Sequence, residues 1–144
     1  MRKGIDHIGI GVCYFCHDGK GNYVLNKRGA GSRDEQGRWD FGGGGLELHD
    51  TIEETLRKEI KEEYAADVIE SEFLGCREFF RETDEGEKTH WVALDFKVLI
   101  DPKQVKNNEP HKFDEVKLFP ITDLPEPLHS QSPVYMGKYK DKLM

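Results

Sequence analysis

Glu59, Glu62 and Glu63 lie within one short, helix-like stretch of the chain, at spacings that place carboxylates on neighbouring parts of a helix surface. Taking Glu59 as zero and advancing about 100° per residue, Ile52 falls near roughly 20°, Leu56 near roughly 60° and Ile60 near roughly 100°, which defines an apolar stripe. Glu63 falls at roughly 40°, inside that stripe, and Glu62 at roughly −60°, beside it; Glu54, Arg57 and Lys61 take the solvated half. Carboxylates crowded at a partly desolvated edge repel one another and hold their protons more tightly unless a cation compensates. Oxygen ligands without a His or Cys cluster favour Mg²⁺, with Mn²⁺ as a substitute, over zinc. The bland alternative is a solvated helix whose glutamates pair with Arg57, Lys58 and Lys61.

The elements around this helix are short. His7 to Phe15 and Tyr23 to Lys27 read as strands around the turn Asp18-Gly19-Lys20-Gly21. Arg28 to Arg38 is a polar loop carrying Arg28, Arg33 and Arg38, a candidate phosphate contact. Trp39-Asp40-Phe41 leads into Gly42 to Gly45, four glycines that permit close approaches a side chain would block. Asp50 is placed to cap the helix with Glu53 as capping-box partner, and the helix is predicted from Thr51 to about Tyr64. Phe73 to Arg81 and Thr89 to Ile100 read as strands of a hairpin whose turn is Asp84 to Glu87, and Val116 to Phe119 as a further strand. From Ser132, Pro133 suits the first turn of a closing helix. The sum is an α+β fold: a mixed sheet, one central helix and a terminal one, in a single domain over residues 1–144.

Composition narrows the partners. A formal charge of −7 has the wrong sign for unaided binding to a polyanion, so an anionic substrate needs local Arg and Lys or a cation. No run approaches the roughly 18 apolar residues of a membrane span, and the opening residues lead into a β-like segment, so a cytoplasmic location is expected. Three cysteines do not make a disulfide framework, and Cys13 and Cys16, three apart in a strand, point to opposite faces.

Gly44 to Ala66 resembles the Nudix box of the MutT-like hydrolases: Gly, five residues, Glu, seven residues, Arg-Glu-aliphatic, one residue, Glu-Glu, one residue, Gly-aliphatic. Gly44, Glu59, Ile60, Glu62 and Glu63 match. Asp50 stands for the first Glu, Lys58 for Arg, Ala65 for the last Gly and Ala66 for the last aliphatic residue. Trp39-Asp40-Phe41 and Glu47 are similar to the usual lead-in, with Gly42 where Pro is customary and His49 where Gly is. Glu109-Pro110, ahead of Phe113-Asp114-Glu115, looks like the loop where MutT-type members carry a further Glu.

The resemblance implies an α/β/α sandwich and hydrolysis of a nucleoside diphosphate linked to a group X, with a nucleoside triphosphate going to the monophosphate and pyrophosphate. It implies Glu59 and Glu63 as metal ligands, Glu62 as ligand or base, the Gly44 carbonyl as a further ligand and Glu109 as a second candidate base. Arg28 would clamp a phosphate, and Gln131 lies where a purine-reading side chain is placed. The implied partner is a small-molecule nucleotide rather than polymeric nucleic acid or a membrane, and a homodimer is an assembly to test. ADP-ribose or another nucleotide sugar is the rival substrate. A nucleotide-sensing module without turnover is the rival of another class, motivated by Lys58 and Ala65.

Overall fold

The computed structural model describes residues 1–83 and 85–144, so Asp84 of the expected turn lies outside the described residues. Seven strands share one sheet: β1 (Gly9–His17), β2 (Asn22–Arg28), β3 (Trp39–Asp40), β4 (Gly43–Gly45), β5 (Glu70–Glu82), β6 (Lys88–Leu99) and β7 (Phe113–Pro120). The helices are α1 (Ile52–Tyr64) and α2 (Ser132–Leu143). β5 and β6 form the expected antiparallel hairpin, closed by Gly86 N–H donating to the Thr83 carbonyl. β6 runs parallel to β1 from Gly9↔Trp91 to His17↔Leu99, which makes the sheet mixed. The other edge of β1 is shared by β4, through Val12↔Gly44 and its neighbours, and by β2 at His17↔Tyr23. β2 then carries β3 and β7.

Alternation along β1 divides the core. Val12, Tyr14 and Cys16 pack on Leu56, Ile60 and Tyr64 of α1, whereas Phe15 packs on the other face among Tyr135, Tyr139 and Leu143 of α2. The result is the α/β/α sandwich. Cys13 and Cys16 do lie on opposite faces, and both are free thiols.

Several boundaries move. β1 is shifted two residues along from the expected 7–15, β5 begins at Glu70, β7 spans Phe113–Pro120, and Gly43–Gly45 form an unexpected strand. The N-cap is Thr51, whose hydroxyl accepts from Glu54 N–H at 3.0 Å; Asp50 does not cap the helix. Its carboxylate instead stands 4.0 Å from the Lys58 ammonium, so two departures from the box face one another. Glu53 makes no capping box because Arg57 takes its carboxylate at 2.9 Å. Ile52, the first residue of α1, is exposed despite its angular place.

Candidate active site

Glu63 is 1 % exposed, so the apolar stripe of α1 does carry a carboxylate into the core. Both its oxygens are engaged: the Tyr14 hydroxyl donates to Oε1, and the Lys112 ammonium stands 2.9 Å from Oε2. Burial raises the Glu63 pKa, while Lys112 and Tyr14 act against that rise. Glu59, one turn earlier, is half-buried and rests against β4; a Cβ on Gly44 would lie 2.3 Å from its Cδ. The missing side chain at Gly44 is therefore what lets the Glu59 carboxylate lie on the strand. Burial, then Glu63 and Glu62, push the Glu59 pKa up to about 7. Glu62 is exposed beside them, as the angular reading expects.

A distant loop docks on the end of this helix. The backbone N–H groups of Lys106 and Asn108 donate to the Tyr64 and Glu63 carbonyls, satisfying acceptors that the last turn leaves open. That docking brings Glu109 near enough for its charge to act on both Glu59 and Glu63. The same loop supplies Lys112, a residue whose only sequence signal is its place three positions after Glu109. Its backbone is fixed from the arginine loop: Gly29 N–H donates to the Lys112 carbonyl at 2.9 Å and the Ser32 hydroxyl at 2.6 Å.

The structure thus brings Glu59, Glu62, Glu63 and Glu109 into one electrostatic neighbourhood beside the Gly43–Gly45 strand. These carboxylates offer only oxygen donors, their acidic excess raises Glu59, and in donor type and charge they fit a hard divalent cation. Among the described residues no three such groups converge at one coordination point, and Lys112 supplies the positive charge at Glu63.

A cavity of about 740 Å³ opens beside this edge. Its floor is the sheet face opposite α1, the face on which Asp95 touches Tyr139 of α2. Gly11 of β1 adjoins Ala93 of β6 in register, with Cys13 beyond it, so small residues leave this part of the floor open. Glu59, Gly44 and Lys112 line one part of the cavity. Arg28 lines it too, with its guanidinium donating to the Asp34 carbonyl at 2.8 Å and carboxylate at 3.0 Å. Arg33, Arg81 and Lys3 add three further cations. Gln131, expected near the base, is the N-cap of α2 and does not line the cavity; His129, two residues earlier, does. Asp40 of the Trp39-Asp40-Phe41 lead-in also faces it, as do Phe79 and Trp91, which no local motif announces.

One of the three departures near the helix, Gly42, finds its reason here. Gly42 has φ +121°, which proline cannot adopt, and a Cβ there would lie 2.5 Å from the Tyr14 ring. His49 (φ 78°) and Ala65 (φ 59°) hold left-handed conformations where the resemblance has glycine. Ala65 ends α1 with its N–H donating to the Lys61 carbonyl.

No curated protein matches the chain in sequence. Among solved structures, a MutT NUDIX hydrolase from Burkholderia pseudomallei is similar with a TM-score of 0.78 and 22% identity, over 92% of this chain and 98% of that one. The NUDIX domain of Shewanella oneidensis NrtR, solved with ADP ribose, gives a TM-score of 0.75 and 17% identity over 96% of this chain and 90% of that one. The mutator MutT protein from Bacillus halodurans gives 0.68 and 16% over 94% and 82%. The NUDIX domain model matches residues 7–138, the stretch that runs from the first strand through the glutamate helix into α2, and the chain therefore belongs to the NUDIX family as a Nudix hydrolase.

Proposed function

We propose that this protein hydrolyses a phosphoanhydride of a nucleoside diphosphate linked to X, converting a nucleoside triphosphate to the monophosphate and pyrophosphate with Mg²⁺, or Mn²⁺ in its place. One observation carries the reading: an acidic cluster around a half-buried Glu59 shares a cavity with Arg28, Arg33, Arg81 and Lys112. Carboxylates alone would repel a triphosphate, and cations alone would hold it without chemistry. Together they suit a polyphosphate carried with a divalent cation.

In this reading Glu59 and Glu63 hold the cation, with Glu62 and the Gly44 carbonyl beside them. Once bound, such an ion neutralises phosphate charge and makes water a better nucleophile. Lys112 offsets part of the burial that raises the Glu63 pKa, and Arg28 turns from Asp34 to a phosphate oxygen. The water oxygen bonds to phosphorus as the bridging P–O bond breaks. The electron pair leaves with the departing phosphate, and one proton passes to Glu62 or, in the second assignment, to Glu109.

Hydrolysis of ADP-ribose or a related nucleotide sugar is the second reading, favoured by the structural similarity to the NrtR domain solved with ADP ribose. A panel of nucleoside triphosphates and nucleotide sugars with Mg²⁺ and Mn²⁺ separates them by product: pyrophosphate and a monophosphate, or two monophosphates. Full activity in both Glu62→Gln and Glu63→Gln overturns the residue assignment, and no turnover on any member leaves a sensing module. A homodimer is read alongside by sedimentation of the same preparation.

A further inference from the structure

Trp91 is held in a way that its place in a strand does not require. A Cβ on Gly4 would lie 2.3 Å from the indole Nε1, and one on Gly9 would lie 2.6 Å from Cε3. The indole therefore occupies the space that side chains on two separate backbone segments would take, and lies directly against both. Gly4 has φ +79°, the left-handed region natural to glycine, and its carbonyl accepts from His90 N–H at 2.8 Å, which ties the N-terminal segment to β6 beside Trp91. The indole is fixed on these sides and open on another: Trp91 lines the cavity together with Phe79, its partner across the β5/β6 pair. Over its ring stands the exposed guanidinium of Arg33, 6.0 Å from the centroid.

We propose that Trp91 and Arg33 form a nucleobase subsite, in which the base stacks on the indole and Arg33 covers it; this rests on the nucleotide-hydrolase reading above. Two stacked layers need about 3.5 Å each, or about 7 Å, so Arg33 has to withdraw only about 1 Å for a base to enter. A guanidinium plane covers a base as readily as it covers an indole. The reach agrees. From β6 across β1 to β4 is two strand spacings, about 10 Å, which leaves room for a ribose between a base on Trp91 and phosphates at Gly44 and Glu59. Gly11 lines the floor between them, with Gly9 lying under the indole itself, so no β1 side chain stands between Trp91 and Gly44.

The chain has two tryptophans, and Trp39 is buried against Phe119, 5.0 Å between ring centroids. In a Trp39→Phe background, indole emission then reports Trp91 alone. Titration of this variant with AMP, GMP, CMP, UMP and ribose 5-phosphate is expected to show quenching by the nucleotides and none by the sugar phosphate. Equal quenching by ribose 5-phosphate overturns the subsite. Trp91→Ala is expected to raise KM for the preferred substrate about 5-fold to 150-fold with kcat within about threefold, and Trp91→Phe to restore most of the loss. Because Trp91→Ala vacates packed volume, Arg33→Ala is the companion: the side chain is exposed, the fold should be intact, and KM is expected to rise about threefold to tenfold. Turnover with unchanged KM in both alanine variants overturns the subsite and leaves the hydrolase reading standing. Nucleotide quenching in a protein without turnover does the reverse.

Discussion

Replacing Asp95 with alanine tests whether the charge pair beneath the cavity floor is as tightly coupled as its geometry requires. Asp95 is fully buried and accepts from Arg77 Nε at 2.7 Å, from Arg77 Nη2 at 2.8 Å and from the Tyr139 hydroxyl at 2.6 Å. Arg77 is 7 % exposed and lies 5.2 Å from the centre of the Tyr135 ring, so its guanidinium has no short path to water. Removing the carboxylate strands that charge and leaves the Tyr139 hydroxyl without its acceptor. Breaking a buried ion pair from one side costs about 3–5 kcal/mol. At about 2.1 cal/mol/K of unfolding entropy per residue, 144 residues give about 0.3 kcal/mol/K, so the melting temperature should fall by about 10–17 °C. Urea unfolding followed by circular dichroism reads the free energy, and a thermal melt the temperature. The double variant Arg77→Met, Asp95→Leu should lose much less than the two single changes added together, because no charge is left stranded. A loss under about 1 kcal/mol for Asp95→Ala, or additive losses in the double variant, would refute the reasoning.

Ala65→Gly should stabilise the protein by about 0.5–1 kcal/mol in denaturant titrations, since a left-handed conformation costs alanine about 1–2 kcal/mol and glycine's extra freedom when unfolded returns only part. Gly44→Ala would set a Cβ 2.3 Å from the Glu59 Cδ and displace that carboxylate; turnover should drop by about a hundredfold while the far-ultraviolet spectrum stays unchanged, and parental turnover would contradict the role given to Gly44. Glu59→Gln removes a half-buried carboxylate from three neighbouring ones, so in EDTA it should melt slightly higher than the parent, by about 0.5–1 kcal/mol after solvent screening, while losing turnover; a lower melt would show that repulsion there is negligible.

The glutamate helix was legible because its determinants are local. A period of 3.6 residues places Glu63 with Leu56 and Ile60, and all three are buried. The α/β/α class follows from the order of elements and from the family resemblance. What the sequence hides is nonlocal. Lys112 meets Glu63 across 49 positions, through a loop that itself answers to the open carbonyls of α1, and no spacing rule connects the two. Gly43–Gly45 has no side chains to alternate, so its strand pairing with β1 leaves no periodic trace. The cap passed from Asp50 to Thr51 because the neighbouring residues offer the same chemistry one position apart, and Asp50 faces Lys58 instead. The cavity is legible only in register: Gly9 opposite Trp91 seats the indole and Gly11 opposite Ala93 makes the floor, which neither strand encodes alone.

The glutamate helix packs on one face of the sheet, and the tryptophan lies on the other, with β4 as the edge between them. Phe79 and Trp91 therefore stand on the face away from Tyr14 and Glu63, while Arg33 adjoins Ser32, whose hydroxyl holds the Lys112 backbone. Such a layout lets the choice of ligand drift through many sequence changes while the cutting end stays still, so relatives of this chain can differ most where they read and least where they hydrolyse.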